Sequence, residues 1–312
     1  MDRNVWRRVK AAVKRACRKN KVERLREPTF SDVQIMLMYL WCIWHDRCLS
    51  WACDKSHYGD LFRPRKLPSI SQFSRRVRED HFQKILQAVH EELARDGLNS
   101  PIHYTDGKPI TVGPVSKDPD ARSGRISGGY AKGYKLHAIV SENRKIVIWS
   151  VMPLNVAEQS VAMEMSQWLP PGDPLALMLA DSNFDSAPLH NTLELSDRRL
   201  LTPLKGQKRV KNGQHHPTTL KQMGPLRREA VQVHKQHPQL INYVLKQRNN
   251  VEGVFSVLTV ALHVSRPPAY VRRLERVRRW TGAKIILYHA RLEAQKEQTN
   301  PEAAGVPQKQ VA

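Results

Sequence analysis

The sequence predicts an α/β protein in which a mixed β-sheet is flanked by helices and preceded by a small helical DNA-binding domain. Between residues 102 and 204, short apolar segments and helical segments follow one another in the order three strands, helix, strand, helix, strand. Residues 1–99 instead contain capped helical segments. A chain of 312 residues is long enough for one large core and a second, smaller domain.

The charge of the chain indicates its partner. Lys and Arg number 51 against 29 Asp and Glu, which gives a formal net charge of +22. Because this excess is larger than solubility requires, it points to a polyanion such as nucleic acid. Seven Trp and a hydrophobic fraction of 40% argue against a disordered basic tail protein. The four cysteines form no CxxC pair, so a zinc finger is not supported.

Nothing in the sequence favours a membrane protein. The basic N-terminal segment lacks the apolar stretch of a signal peptide. The densest apolar run, residues 35–44, is too short to span a bilayer. We therefore expect a cytoplasmic protein that works on nucleic acid, with no membrane partner.

Residues 1–99 favour a helical, basic domain that binds DNA ends. Capping-box patterns start at Ser31 and at Ser69, and each precedes a helical segment. The second segment has an apolar side, while Gln72, Arg75 and Arg76 lie largely off it. This arrangement is compatible with a helix-turn-helix, and these three residues are candidate DNA contacts. Many small helical domains share the pattern, so ordinary helix packing stays open as an alternative. Turn residues at 96–101 mark the boundary.

The predicted sheet lies within residues 102–204. Its segments are a strand at 102–107, a mobile loop at 113–133, a hairpin of strands at 134–140 and 145–152, a helix at 156–169, a strand at 175–179, a helix after Asp185 and a strand at 200–204. Asp106 lies at the end of the first strand. Asp181 follows the fourth strand directly, before a turn that contains Asn183.

Two basic regions follow the sheet. Residues 205–248 have poor apolar periodicity and are predicted to be a mostly exposed basic insertion, in which Lys208, Arg209 and Lys211 are candidate DNA contacts. A solvated surface loop is the alternative. After an amphipathic helix within 245–262, a last helix runs from Tyr270 to about residue 295. The arginines near its start include three further candidate DNA contacts, Arg272, Arg273 and Arg276. Residues 299–312 are predicted to be a disordered tail.

Three carboxylates stand in positions suited to metal binding. Asp106 and Asp181 end predicted strands, and Glu252 lies on the amphipathic helix, four residues after Arg248. Carboxylates at such positions can hold hard divalent ions, which supply the charge neutralisation that phosphoryl transfer requires. Alternatives remain at this point, because Asp181 could be only a helix cap and Arg248 with Glu252 only an intrahelical ion pair.

The motifs YTDG around Asp106, KGYKLHAIV at 132–140, LADSNFDS around Asp181 and RNNVEGVF around Glu252 together resemble the DDE transposases of bacterial insertion sequences. The resemblance covers residues 100 to about 292 and implies a ribonuclease-H-like catalytic domain, which we place at residues 100–298. It implies that Asp106, Asp181 and Glu252 are the catalytic residues and hold two Mg²⁺ or Mn²⁺ ions. It also implies that Arg248 matches the family's Arg four residues before the Glu and contacts DNA.

This resemblance implies metal-dependent cleavage of double-stranded DNA at the terminal repeats of an element, and strand transfer into target DNA. It implies a bacterial, nucleoid-associated protein, with a homodimer on DNA as an open option. Leu245 and Thr259 stand where some branches have a Tyr and a Lys linked to a hairpin intermediate, which disfavours that intermediate. The alternatives are a non-catalytic or decayed DNA-binding protein, a nuclease of the same fold without strand transfer and, less favoured, a serine or tyrosine recombinase.

Overall fold

The computed structural model describes residues 2–22, 28–173, 176–204 and 224–299. Packing divides the chain into two units: unit 1 comprises residues 1–93, 268–271 and 279–312, and unit 2 comprises residues 94–267 and 272–278. The predicted division into 1–99 and 100–298 differs from this packing, because most of the last helix belongs to unit 1. As functional domains, the predicted boundaries stay a prediction.

Unit 1 is helical. Its N-terminal part contains α1 (Arg3–Lys19), α2 (Asp32–Trp44), α3 (Ile70–Arg78) and α4 (Asp80–Ala94). Side chains cap these helices as the sequence predicts: Ser31 accepts from the backbone N–H of Gln34, and Ser69 and Gln72 form a complete capping box. Nine consecutive residues of α2, from Ile35 to Ile43, are buried, so this helix is the centre of the unit.

Unit 2 is built on a six-stranded sheet. The strands are β1 (Ile102–Thr111), β2 (Arg122–Ile126), β3 (Gly129–Ser141), β4 (Ile146–Pro153), β5 (Ala176–Leu179) and β6 (Arg198–Leu201). Their order is β2-β3-β1-β5-β6, and β4 pairs with the same β3. The first four strands pair antiparallel, whereas β5 pairs parallel to β1 and β6 parallel to β5. This is the predicted mixed sheet.

Helices cover this sheet. The helices α5 (Glu158–Ser166) and α6 (Ala187–Glu194) contribute Val161, Met165, Leu189 and Leu193 to a buried cluster with Ile139 and Met178 of the sheet. Ile139 and Met178 point to the same face of the sheet, because both belong to the cluster with α5 and α6. Side chains alternate between the two faces along a strand. Their neighbours Ala138 and Leu179 therefore point to the opposite face, and both of these are also fully buried.

Four more helices complete the described chain: α7 (Pro225–Gln236), α8 (Pro238–Lys246), α9 (Asn249–Val260) and α10 (Leu274–Thr299). The helix α9 buries Val251, Val254, Phe255 and Leu258, which is the apolar stripe that its sequence predicts. Helix α10 begins in unit 2 and continues in unit 1.

One sequence prediction is wrong, and one segment for which no helix was predicted is helical. Residues 113–133 were expected to form a mobile loop, but β2 and the first residues of β3 lie there. The described part of the basic insertion, residues 224–248, contains α7 and all of α8, so it is not the surface loop that was the alternative. Both regions bury few side chains, since only Gly124 is buried in β2, none in α7 and only Ile241 in α8. They therefore lack the apolar periodicity on which the predictions depended.

Within the described ranges, no helix is long and apolar enough to cross a membrane.

Candidate active site

Asp106 lies within β1 rather than at its end, because the strand continues to Thr111. The residue opposite Asp106 on β3 is Ala138. One oxygen of the half-buried Asp106 carboxylate accepts a hydrogen bond of 2.8 Å from the backbone N–H of Gly107. The small partner Ala138 leaves the side chain of Asp106 room on this face of the sheet.

Asp181 stands at the carboxyl end of β5, two residues after the strand. Its side chain accepts hydrogen bonds from the backbone N–H and the side-chain amide of Asn183, at 2.8 Å and 3.2 Å. It thereby caps a 3₁₀ turn at Ser182–Phe184, and Phe184 is buried in the core cluster. The prediction of a tight turn directly after Asp181 is confirmed by these contacts.

The sheet register brings Asp106 and Asp181 together. Tyr104 of β1 pairs with Leu179 of β5, and the strands are parallel, so Asp106 and Asp181 are each two residues further along. The pKa of Asp106 is raised to about 6, mainly by burial and in addition by the negative charge of Asp181, while the Gly107 N–H opposes the shift. The two carboxylates are therefore close enough to repel each other.

Helix α9 places Arg248 and Glu252 beside the same strand. Asn250 donates a hydrogen bond of 3.2 Å to the hydroxyl of Tyr104, two residues before Asp106. The positive charge of Arg248 lowers the pKa of Asp106, and its guanidinium lies 3.0 Å from the Glu252 carboxylate. The side chain of Glu252 is 56% exposed. Arg248 thus interacts electrostatically with both Glu252 and Asp106.

The structure brings the predicted carboxylates only partly together. In the part of the chain that it describes, no group of three or more His, Cys, Asp or Glu residues has the geometry to hold one metal ion. Asp106 and Asp181 are neighbours, whereas Glu252 is paired with Arg248. The donor chemistry nevertheless fits Mg²⁺ or Mn²⁺, because carboxylate oxygens are hard ligands and like charges in one place favour a cation.

A second charged pair near Asp106 was not singled out from the sequence. Glu158, the first residue of α5, lies 2.5 Å from the amine of the buried Lys135 on β3. A Cβ atom at Gly107 would come within 2.9 Å of the Glu158 carboxylate and of the Lys135 side chain. Glu158 also raises the pKa of Asp106. An acid in the first turn of a helix is so common that sequence alone gave no signal for this pair.

The predicted DNA-reading residues of α3 have different surroundings. Arg75 is exposed. The side-chain oxygen of Gln72 accepts from the Ser69 backbone N–H at 3.0 Å, so this residue also caps the helix. Arg76 is mostly buried and pairs with Asp32 and, at 3.1 Å, with Glu79. The guanidinium of Arg76 therefore holds α3 against the start of α2.

The other predicted DNA contacts are placed as follows. Arg272, Arg273 and Arg276 are exposed at the start of α10. The backbone N–H of Arg273 donates to the Asp118 carboxylate at 3.0 Å, which fixes the chain where the helix begins. Lys208, Arg209 and Lys211 lie outside the described residues.

The transposase DDE domain family matches residues 100–288, which is more than half of the chain. The protein belongs to this family. Membership establishes an enzyme that cuts and transposes DNA, and enzymes of the family generally depend on a divalent metal ion. No curated protein matches the chain.

Among solved structures, the chain is similar to a piggyBac transposase in a cryo-EM synaptic complex with hairpin DNA. That similarity covers 94% of this chain and 73% of the other, with 11% sequence identity and a TM-score of 0.47.

Proposed function

We propose that this transposase hydrolyses phosphodiester bonds at the terminal repeats of its element and joins the freed 3′ hydroxyl to target DNA. Asp106, Asp181 and Glu252 serve as the catalytic carboxylates. The element is a bacterial insertion sequence, the DNA is double-stranded, and the protein acts as a homodimer in the nucleoid.

One observation carries the assignment. The parallel register of β1 and β5 brings Asp106 and Asp181 side by side. Burial is the main cause of the raised pKa of Asp106, and the negative charge of Asp181 adds to it. Packing alone gives no reason for two carboxylates here, because mutual repulsion makes the arrangement unfavourable. A cation offsets this repulsion, so the geometry favours a metal site over a pair of helix caps.

Asp106, Asp181 and Glu252 would hold two Mg²⁺ or Mn²⁺ ions. Two such ions in a site stabilise the attacking and leaving oxygens of an in-line displacement. Because Glu252 now pairs with Arg248, its side chain must turn away from that arginine to join the aspartates. A side chain that is more than half exposed can make this change at small cost.

Arg248 has two roles in the proposal. In the protein alone, its charge lies near Asp106 and balances the acidic site. When Glu252 turns to the aspartates, the guanidinium becomes available for a DNA phosphate, and Arg is suited to bind phosphate through two parallel hydrogen bonds. Contacts to DNA away from the site come from Gln72 and Arg75, from Lys208, Arg209 and Lys211, and from Arg272, Arg273 and Arg276.

The test is a cleavage assay on supercoiled DNA that carries the sequences flanking the coding region. With Mg²⁺, we expect nicks at the element ends and, with target DNA present, a joined donor–target product. Asp106→Asn, Asp181→Asn and Glu252→Gln should each remove nicking and leave DNA affinity nearly unchanged, because each keeps the size of the side chain. Full nicking by Asp181→Asn would falsify the assignment, and nicking without a joined product would indicate a nuclease.

A matched control exists for Glu252. Glu275 is also an exposed helical glutamate, and it pairs with Arg278 at 2.9 Å, three residues further along the helix. Glu275→Gln should nick DNA at the wild-type rate. If Glu275→Gln loses as much activity as Glu252→Gln, the loss reflects a general effect of surface charge and not a role of Glu252 in catalysis.

A further inference from the structure

Asp185 and Arg227 form a buried ion pair close to the proposed site. Two nitrogens of the Arg227 guanidinium donate to Asp185: Nε to one carboxylate oxygen and Nη2 to the other, each at 2.7 Å. The Asp185 side chain is 3% exposed and that of Arg227 is 14% exposed. Nε2 of His190, also buried, lies 3.7 Å from the same carboxylate.

This pair is linked to Asp181 by a single turn of chain. Asp181 caps the 3₁₀ turn at Ser182–Phe184 at its start, and Asp185 ends it with a backbone hydrogen bond to Ser182 at 3.3 Å. Phe184, inside the turn, is buried. A displacement of Asp185 would therefore be transmitted to Asp181 through four short backbone steps with little freedom to absorb it.

Arg227 holds the far end of this turn from another helix. It is the third residue of α7, whereas Asp185 precedes α6. A bidentate arginine fixes the plane of its carboxylate partner as well as its distance. Burial of such a pair gives little net stability, since apolar residues of similar size often serve the fold equally well. The presence of Asp185 and Arg227 is therefore better explained by the orientation that they give the turn than by a contribution to stability.

We propose that Asp185 and Arg227 are a positioning pair that orients the Asp181 carboxylate for binding a divalent ion. This inference rests on the proposed function. Neither residue touches the reacting atoms, and the pair acts only through the turn between Asp181 and Asp185.

The test compares two variants in a direct Mn²⁺ titration of the whole protein without DNA, read by the electron paramagnetic resonance signal of free Mn²⁺. Arg227→Lys keeps the positive charge but loses the planar guanidinium that makes both hydrogen bonds. The double variant Asp185→Leu with Arg227→Met removes both charges, which keeps the pocket filled and avoids an unpaired buried charge. Because groups that orient metal ligands typically change affinity by 10–100-fold, we expect both variants to bind Mn²⁺ at least about 10-fold more weakly.

A control separates this role from general loosening of the fold. Arg198 is another buried arginine of the same unit, and its Nη2 donates to the Pro170 carbonyl at 3.1 Å. Arg198→Lys should lower the melting temperature and leave Mn²⁺ affinity unchanged. Equal weakening in Arg198→Lys, or wild-type Mn²⁺ affinity in a folded double variant, overturns the positioning role.

The reference variant Asp181→Asn distinguishes the two proposals. If the wild-type protein binds Mn²⁺ and Asp181→Asn does not, the metal site stands and the variants of the pair decide the positioning role alone. If Asp181→Asn binds Mn²⁺ as tightly as the wild type, the proposed site itself is wrong, and the positioning role is overturned with it.

Discussion

Neighbouring carboxylates make the proposed site unfavourable for folding and suitable for cations. Asp106 lies beside Asp181, and Glu158 adds a third negative charge. Two cations oppose them: Arg248, directly before α9, and Lys135 on β3, which acts through its pair with Glu158. Single residues therefore set the balance of charge, and small changes near Asp106 should have large effects on activity.

Gly107→Ala tests the space beside Asp106. The new Cβ would lie 2.9 Å from the Glu158 carboxylate and from the Lys135 side chain, so this ion pair must shift. Because the atoms in the way belong to long side chains, we expect a loss of about 1 kcal/mol, at the low end for overpacking, together with reduced nicking. Urea unfolding and the cleavage assay measure the two effects.

Gly253→Ala is the control for that change. Gly253 lies inside α9, and a Cβ there would meet no atom within 4 Å. Alanine in a helix should raise the unfolding free energy by roughly 0.5–1 kcal/mol. If both alanine variants change stability by the same amount and in the same direction, the space beside Asp106 is not restricted in the way that we describe.

His103 should make unit 2 sensitive to acid. The pKa of His103 is lowered to about 4, mainly by burial and in addition by the charge of Arg198, while a hydrogen bond to the Gly97 carbonyl opposes the shift. The folded protein thus binds this proton more weakly than the unfolded chain. Its contribution is complete above pH about 6.5 and falls toward pH 4, with a loss of about 2 kcal/mol by pH 5. Unfolding at pH 7.5 and pH 5 should show a smaller decrease in His103→Gln than in the wild type. An equal decrease would contradict the prediction.

At the scale of elements, α3 combines a cap with a predicted reading surface. Gln72 accepts from the Ser69 backbone, so Gln72→Ala should lose both the cap and any base contact. Ser69→Ala removes only the cap, which should lower the unfolding free energy by about 1 kcal/mol.

If Gln72 binds adenine, Gln72→Ala should remove about 1–3 kcal/mol of the preference for element ends. Arg75→Ala should remove a similar amount if Arg75 binds guanine. Competition binding at fixed salt should show that Ser69→Ala keeps the preference. A similar loss in Ser69→Ala would place the reading surface elsewhere.

The elements that the sequence predicts best are those that bury apolar residues. The strands β1, β3, β4, β5 and β6 and the helices α2, α5 and α9 all do so, either at helical spacing, as in α9, or in a continuous run, as in α2. Both patterns are visible in the sequence. The strand β2 and the helices α7 and α8 bury almost nothing. What holds β2 in place is its backbone pairing with β3, which no side-chain pattern records.

The proposed site, too, could be predicted only where a local sequence pattern marks the residue. Asp181 could be selected because it follows a buried strand, and Glu252 because it lies on a clearly amphipathic helix. Asp106 could be selected as the end of a predicted strand, although β1 continues to Thr111. The pairs Lys135–Glu158 and Asp185–Arg227 join residues 23 and 42 positions apart, and their partners are set by packing. Periodic patterns within one helix or strand do not show which distant residue will form the ion pair.

For the whole molecule, the net charge of +22 should dominate DNA binding. Each neutralised phosphate releases counterions, so affinity falls linearly on a logarithmic plot against salt, with a slope of about −0.9 for each contact. For six to ten contacts, we expect affinity for duplex DNA to fall by roughly 10³–10⁵ between 50 and 200 mM salt. The double variant Arg273→Gln with Arg276→Gln removes two exposed cations and should make the slope about 2 units less steep. The control Arg199→Gln removes a cation that already pairs with Glu194 and should leave the slope unchanged. Affinity that hardly changes with salt would contradict a binding mode based on phosphate contacts, and equal slopes for the two variants would exclude Arg273 and Arg276 from the DNA-binding surface.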